Sequence, residues 1–240
     1  MIRFESVTKR YPGGHEALRE VTFALEPGEF VFLTGHSGAG KSTVLKLVSL
    51  VERATRGAVL LGERNLGKVP ARGIPGVRRM VGQVFQDHRL LMDRTVFDNV
   101  ALPLVIAAVP RAELERRVRN ALDKVGLLAR ERARPAELSA GEQQRVGIAR
   151  AVVGKPPLVI ADEPTGNLDP TLAAEIMALF ATLTQSGTTV LVASHDLHLV
   201  QRMKKRVLVL DHGRLIDDFR PVAPPPAHVA AAIAGVEGRP

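Results

Sequence analysis

The sequence predicts an α/β fold in which parallel strands form a central sheet. The stretch PPLVIADEP at 156–164 is almost continuously apolar, which is typical of a strand that a parallel sheet buries on both faces. A helical pattern at 171–185, a strand at 188–194, a short helix and a strand at 206–211 follow it. This alternation favours parallel strands that are joined by right-handed crossovers.

The N-terminal part of the chain contains short apolar stretches that are separated by glycine turns. Strands are predicted at 2–7, 22–25, 30–35, 58–63 and 78–85. Only the strand at 30–35 runs into a glycine-rich loop, and a helix is predicted directly after that loop, at 41–50. This strand is therefore the one that we expect to lead into a ligand site.

The segment from about 91 to 154 has a helical character. Apolar residues recur at helical spacing within 111–128, with charged residues between them. A second helix is predicted at 140–154, with Ser139 as its N-cap and Gly154 at its end.

The predicted elements divide the chain into a core and an insert. The core comprises about 1–90 and 155–220, and the helical subdomain lies between them, at about 91–154. Residues 221–240 are rich in proline and alanine and are predicted to form a mobile tail after a domain that spans about 1–220.

The net charge of +8, from 33 Lys and Arg against 25 Asp and Glu, favours anionic partners such as nucleotides or an anionic membrane surface. The basic residues are scattered and aromatic residues make up only 4% of the chain, so no nucleic acid is expected as a partner. The absence of cysteine excludes disulfides and thiolate metal sites.

No membrane span or signal peptide is predicted. The longest apolar run, VALPLVIAAV at 100–109, is about half the length that a bilayer requires, and it contains Pro103. We therefore expect a soluble, cytoplasmic protein, unless a partner holds it at a membrane.

The loop GHSGAGKST at 35–43 matches the phosphate-binding pattern G-x-x-x-x-G-K-[ST] and stands between a predicted strand and a predicted helix. Its glycines allow the backbone N–H groups to point at phosphate oxygens, and the helix N-terminus adds partial positive charge. Lys41 is expected to bridge the β- and γ-phosphates, and Ser42 to ligate Mg²⁺. The predicted nucleotide-binding residues are Gly35, His36, Ser37, Gly38, Ala39, Gly40, Lys41, Ser42 and Thr43.

Polar residues at three other strand ends are candidates for the same site. Asp162 could hold Mg²⁺ and Glu163 could act as the general base toward an attacking water. His195 follows the strand at 188–194 and could sense the γ-phosphate, because the carboxyl ends of parallel strands meet at one sheet edge. Gln86 could reach Mg²⁺ or the water. Taken singly, each could instead be an ordinary solvated polar residue.

Two further positions have weaker support. Tyr11, the only tyrosine, could stack on an adenine ring or simply pack against the strands beside it. Ser139 and Gly141 open a helix and could present a hydroxyl and N–H groups to an anion. Since the loop at 35–43 already surrounds one triphosphate, this helix would bind a nucleotide held by another copy of the chain. An ordinary capped helix is the alternative.

Taken together, these motifs resemble those of the ATP-binding cassette ATPases. Tyr11, GHSGAGKST, FQD, LSAGEQQR, ADEPTGNLD and SHD occur in the order and spacing of that family. The resemblance implies a P-loop NTPase with a RecA-like core, an N-terminal antiparallel β-subdomain and an inserted α-helical subdomain. It also implies ATP and Mg²⁺ as cofactors, ATP hydrolysis, and a homodimer with ATP between the subunits.

The resemblance also implies a role for each matching residue. Glu163, His195 and Lys41 would be catalytic, and Ser42, Gln86 and Asp162 would hold the metal ion. Ser139 and Gly141 would face the γ-phosphate that the partner binds. The site communication loop would comprise Asn167, Leu168 and Asp169, with Asp169 among the nucleotide-binding residues. The chain departs from the family pattern at Ala140, where glycine is usual, and at Glu142, where many members have glutamine.

Three stretches, FLTGHSGAGKST, FQDHRLLMDRTVFDNVALPL and LDKVGLL, are similar to the cell-division branch of that family. The resemblance implies a peripheral protein on the cytoplasmic face of the bacterial inner membrane, at the division site. Its partner would be an integral membrane protein of the FtsX type, contacted through 87–104, and the complex would control cell-wall hydrolases. The alternatives are the ATPase of a related transporter or lipoprotein-releasing complex, and a nucleotide-gated binding module in which hydrolysis is incidental.

Overall fold

The computed structural model describes residues 1–166 and 168–220. The predicted tail at 221–240 and Asn167 lie outside the described residues. The strands are β1 (Ile2–Arg10), β2 (Glu16–Leu25), β3 (Phe30–Thr34), β4 (Arg56–Leu61), β5 (Arg64–Asn65), β6 (Val81–Val84), β7 (Leu158–Asp162), β8 (Thr189–Ala193), β9 (Arg206–Asp211) and β10 (Arg214–Phe219). The helices are α1 (Lys41–Val48), α2 (Ile74–Arg79), α3 (Val96–Ile106), α4 (Arg111–Lys124), α5 (Ala140–Val152), α6 (Pro170–Gln185) and α7 (Leu197–Met203). Short 3₁₀ turns lie at Leu66–Lys68, Ala71–Gly73, Leu128–Arg130 and Pro135–Glu137.

The central sheet has six strands within the described residues, in the order β10-β9-β3-β8-β7-β6. From β9 to β6 in this order, each strand is parallel to the next, which confirms the predicted α/β class. Strand β10 pairs antiparallel with β9 and forms one edge, and it was not predicted from the sequence.

The central strands β3, β7 and β8 are apolar on both faces because helices or a second sheet cover each face. In β3, Val31 and Leu33 belong to the core shared with α1 and the N-terminal strands. Phe30 and Phe32 alternate with them and belong to the core shared with α6 and α7. The continuous apolar runs of the sequence therefore do correspond to strands buried on both faces.

The second sheet is antiparallel and has the strand order β2-β1-β4-β5. Its register is irregular: β1 and β2 pair Ile2 with Leu25 and Arg10 with Glu16, with register shifts between these pairs. Buried side chains of this sheet pack onto α1 and the inner face of the central sheet. The N-terminal antiparallel β-subdomain implied by the resemblance is thus present.

Helices α3, α4 and α5 share a third hydrophobic cluster. Helix α3 was missed in the sequence, although Thr95 and Asp98 form a reciprocal capping box at its start. Pro103 lies inside this helix and interrupts the pattern that would have identified it. The predicted limits of the helical subdomain, about 91–154, stay a prediction.

The strand predicted at 78–85 is wrong over its first residues. Residues Ile74–Arg79 form α2, and the strand itself runs only over Val81–Val84. Pro75 fixes the first turn of α2, and Val77 is buried in the core beneath it, so this segment folds as a helix. Over the described ranges 1–166 and 168–220, the structure contains no helix long and apolar enough to cross a membrane.

Candidate functional site

An open cleft of about 550 Å³ lies at the carboxyl ends of β3, β7 and β8. The loop after β3 forms its floor, Asp162 ends β7, and His195 follows β8. The sheet thus brings together groups that lie more than a hundred positions apart in the chain, at the edge where ligands bind in α/β folds. The lining residues are Tyr11, His15, Ala17, Ser37, Gly38, Ala39, Gly40, Lys41, Ser42, Thr43, Lys46, Gln86, Asp162, Glu163 and His195.

The loop between β3 and α1 requires glycine at two positions because a Cβ atom would have no space there. Gly35 has φ 147°, and a Cβ there would lie 2.2 Å from the carbonyl oxygen of Leu210. Gly40 has φ 111°, and its Cβ would lie 2.7 Å from the carbonyl oxygen of Ala17. Other side chains would therefore displace the loop from the strands that support it.

The same loop is tied to the turn between β9 and β10. The backbone N–H of Gly213 donates to the carbonyl oxygen of Ala39 at 3.0 Å, and the N–H of Arg19 donates to the carbonyl oxygen of Gly213 at 2.7 Å. The turn thus links the loop to β2 as well as to β9.

The Lys41 ammonium points back over the loop. It donates to the carbonyl oxygens of Gly35 at 2.7 Å and His36 at 3.1 Å, and it lies 3.9 Å from Oε1 of Glu163. Burial lowers the pKa of Lys41, and the charges of Glu163 and Asp162 oppose that shift. The positive charge therefore sits at the centre of the cleft, within reach of an anion that rests on the loop.

Glu163 occupies the centre of a small polar network. Its backbone has φ 45°, an uncommon conformation for a residue other than glycine. Its Oε1 lies 2.8 Å from Nδ1 of His195, and its Oε2 accepts the backbone N–H of His195 at 3.3 Å. The carboxylate is thereby fixed between His195 and Lys41, and such strained backbone is often found where a side chain must be aimed.

Two oxygen donors lie side by side next to this network. The hydroxyl of Ser42 lies 3.4 Å from Oδ1 of Asp162, to which it donates. Gln86 also lines the cleft. Hydroxyl, carboxylate and amide oxygens are the donors that Mg²⁺ prefers. The chemistry of this donor set fits the predicted magnesium ion.

Tyr11 lies at the rim of the cleft. Its hydroxyl is 3.4 Å from Oγ1 of Thr43, and the ammonium of Lys9 lies 4.8 Å from the centre of its ring. Three lining residues, His15, Ala17 and Lys46, were missed by sequence reasoning. Lys46 could have been found, since it lies on α1 in the turn that follows Lys41 and Ser42.

Gly35 and His36 belong to the loop after β3 but do not line the cleft, and their predicted binding to the nucleotide stays a prediction. Ser139, Gly141 and Asp169 do not line the cleft either. Ser139 caps α5 and Asp169 caps α6, where it accepts the N–H groups of Thr171 and Leu172. A Cβ at Gly141 would lie 3.0 Å from a methyl group of Leu172. The structure places these three predicted residues at the starts of two helices, and their binding to a nucleotide held by another copy stays a prediction.

The loop after Gln86 is fixed to α5. Arg150 donates to the carbonyl oxygens of His88 and Arg89, both at 2.6 Å, and Nε2 of His88 lies 3.1 Å from the carbonyl oxygen of Ala140. A movement of α5 relative to the cleft would therefore carry this loop with it. Ala140 itself is exposed at the start of α5.

Comparison with known proteins identifies the family. A model described as ABC transporter matches residues 18–166. The cell division ATP-binding protein FtsE of Escherichia coli strain K12 is 54% identical over 215 residues, covering 90% of this chain and 97% of that protein. FtsE of Bacillus subtilis strain 168 is 44% identical over 218 residues, covering 91% and 96%.

Solved structures agree with these relatives. The dimeric structure of MJ0796, a bacterial ABC transporter cassette, has a TM-score of 0.85 at 34% identity and covers 93% of this chain and 100% of that one. A dimeric post-hydrolysis state of MJ0796 bound to ADP and Pi has a TM-score of 0.84 at 32% identity and covers the same shares. The chain belongs to the ABC transporter family, as one of its ATP-binding and ATP-hydrolysing cassettes.

Proposed function

We propose that this chain is the ATPase subunit of a bacterial cell-division complex, in which an ATP-driven dimer acts on a membrane partner of the FtsX type. The observation that carries the ATPase part is the convergence of Lys41, Glu163 and His195 in one cleft. The cell-division part is supported by the names of the FtsE relatives and by their coverage of nearly the whole cassette.

In this proposal, the loop after β3 binds the phosphates of ATP through its N–H groups and the Lys41 ammonium. Ser42, Asp162 and Gln86 would hold Mg²⁺, and the ion would neutralise part of the negative charge of the bound phosphates. Tyr11 stacks on the adenine ring.

Glu163 serves as the general base for the attacking water. Its carboxylate is held in place by His195 on one side and faces Lys41 on the other. General-base catalysis of this kind contributes about 10²–10⁴-fold in rate. His195 positions the carboxylate and, through it, the water.

The dimer forms because Ser139 and Gly141 bind the nucleotide of the partner copy. They stand at the N-terminus of α5, away from the cleft of their own chain, where N–H groups favour an anion. A ligand can drive a conformational change only by binding one state better than the other. Contact of one ATP with both copies supplies that difference, with Asp169 at the boundary between the two sites.

The membrane partner binds at 87–104 and the end of α3. Four large apolar side chains are exposed there: Leu91, Met92, Val105 and Ile106. The loop is held to α5 by Arg150, so closure of the dimer is transmitted to this surface. The complex thereby controls peptidoglycan hydrolysis from the cytoplasmic face of the cell membrane, at the division site.

Affinity capture tests this proposal. Tagged Glu163→Gln protein is used to capture partners from detergent-solubilised membranes in the presence of ATP and Mg²⁺, with Glu163→Gln/Ser139→Arg as the matched control. We expect a four-span protein with a large extracytoplasmic loop to be captured by the first variant and not by the control. A many-span permease or a lipoprotein-releasing complex would replace the division function by transport with the same ATP chemistry.

A further inference from the structure

A cluster of metal-binding side chains lies beside the phosphate loop, outside the cleft. One donor atom from each of His36, Asp211 and His212 lies within 4.8 Å of the other two. His36 belongs to the loop after β3, and the other two lie at the turn between β9 and β10. We propose that these three residues bind a divalent first-row metal ion such as Zn²⁺, and that the ion ties the loop to the turn.

The protonation of His36 supports this site. Its Nδ1 lies 2.5 Å from the carbonyl oxygen of Ser37, which can only accept, so Nδ1 carries the proton. In the neutral ring, Nε2 then presents a lone pair. Metal-binding histidines are commonly oriented in this way, with the second ring nitrogen donating to a carbonyl group.

The surroundings of that lone pair lack a donor. Among residues 1–166 and 168–220, no group forms a hydrogen bond with the buried Nε2 of His36, and Oδ1 of Asp211 lies 3.2 Å from it. Two electron pairs facing each other repel unless a proton or a metal ion lies between them. The same Oδ1 is 2.8 Å from Nδ1 of His212, so one carboxylate oxygen faces both imidazoles.

The spacing of two of the donors suits Zn²⁺, and the third lies within 4.8 Å of them. Ligands about 2.0–2.1 Å from a tetrahedral zinc ion lie about 3.3 Å from each other. The pair of His36 and Asp211 already has this separation, at 3.2 Å. His212 is mostly exposed, so its ring can adjust and ions can enter from solvent. Water would complete the coordination, as in zinc sites with three protein ligands.

The imidazole ligands give this site a different metal preference from the site at Ser42 and Asp162. Imidazole nitrogen suits Zn²⁺, Co²⁺, Ni²⁺ and Cu²⁺, whereas Mg²⁺ prefers oxygen. A metal ion here would restrain the side chain of His36, whose own carbonyl oxygen accepts the Lys41 ammonium. The proposal concerns the isolated chain and does not depend on the cell-division function.

Zinc titration calorimetry and the visible absorption of bound Co²⁺ test the proposal on nucleotide-free protein with excess Mg²⁺. Every variant carries His15→Ala and His195→Ala, which remove the two imidazoles that line the cleft. The test variant is His212→Asn, since asparagine tolerates the φ of 45° at this turn. The control is His198→Ala, which removes an exposed imidazole on α7.

We expect one Zn²⁺ per chain at this site, with at least about tenfold weaker binding for His212→Asn and unchanged binding for the control. Bound Zn²⁺ should raise Tm by several degrees, and His212→Asn should abolish this shift. Equal affinities for His212→Asn and the control, or no Zn²⁺ bound, would overturn the proposal and leave an ion pair without a metal.

Discussion

Ser139 and Glu142 bind each other at the start of α5. The Ser139 hydroxyl donates to Oε2 of Glu142 at 2.9 Å, and the N–H of Glu142 donates back to Oγ of Ser139 at 3.3 Å. The backbone N–H of Ser139 also reaches this carboxylate, at 2.8 Å. In the isolated chain, the Ser139 hydroxyl is therefore already hydrogen-bonded within its own helix, although we assign it to the phosphate that the partner copy holds.

Glu142→Gln should reduce stability in a pH-dependent manner. The backbone and hydroxyl of Ser139, and then the charge of Arg130, lower the pKa of Glu142, so the folded state favours the carboxylate. Its contribution is present above the ordinary glutamate pKa of about 4.3 and is lost as pH falls through the lowered value.

We expect the substitution to lower the free energy of unfolding by about 0.5–1 kcal/mol at neutral pH, as is typical of helix N-terminal charges and caps. Urea denaturation measures this difference, which should shrink toward zero as pH falls below the ordinary pKa of about 4.3 and through the lowered value. Glu63→Gln, at an exposed turn, makes the same change in net charge and should show neither effect. A loss of stability that is equal at neutral pH and at acid pH would contradict this account.

The dimer can be tested without the membrane partner. Glu163→Gln should retain ATP, because it keeps the loop and Lys41 intact while losing the general base. In size-exclusion chromatography with ATP and Mg²⁺ we expect this variant to elute as a dimer. Addition of Ser139→Arg should leave it monomeric, since the larger cation occupies the surface that faces the partner's nucleotide. Two monomeric profiles at micromolar concentration would count against head-to-tail assembly of the isolated chain.

Gly35→Ala should destabilise the fold far more than Gly38→Ala. Both glycines have positive φ, but a Cβ at Gly35 would meet Leu210 at 2.2 Å, whereas nothing lies within 4 Å of one at Gly38. We expect a loss of at least about 3 kcal/mol for Gly35→Ala, against about 1–2 kcal/mol for Gly38→Ala. Urea denaturation without nucleotide isolates the structural effect, and similar losses would show that the contact with Leu210 relaxes easily.

The ring of Tyr11 should contribute most of this residue's effect on ATP affinity, and its hydroxyl should contribute little. Base–aromatic stacking is worth about 1–3 kcal/mol, so Tyr11→Ala should weaken ATP binding by about five- to 150-fold. Tyr11→Phe keeps the ring and loses only the long contact to Thr43, so it should bind ATP as the unchanged chain does. Fluorescence titration with an ATP analogue compares the two, and equal losses would assign the effect to the hydroxyl.

The sequence predicted the residues of the cleft better than their contacts. Strand, loop and helix around Lys41 follow a local pattern, and Asp162 and His195 were placed at one sheet edge by a general rule of parallel sheets. Helix α3 was hidden by Pro103, and β10 was missed because its alternating pattern lies on an exposed edge.

Contacts between distant segments could not be derived from the sequence. His36 and His212 lie at opposite ends of the core in sequence, and only the sheet order brings their rings to 4.8 Å between centres. The contact between the carboxylate of Glu142 and the hydroxyl of Ser139 is local in sequence, and the spacing of a capping box would have revealed it. No comparable sequence spacing would have revealed the hydrogen bonds from Arg150 to the loop after Gln86.

The bond between Gly213 and Ala39 has a consequence for synthesis on the ribosome. The phosphate loop emerges before the turn that braces it, which is translated about 170 residues later. Strands β8 and β9, which flank β3 in the sheet, also emerge late. A nascent chain therefore holds the loop without its support, and ATP cannot assist folding until the C-terminal strands have left the exit tunnel.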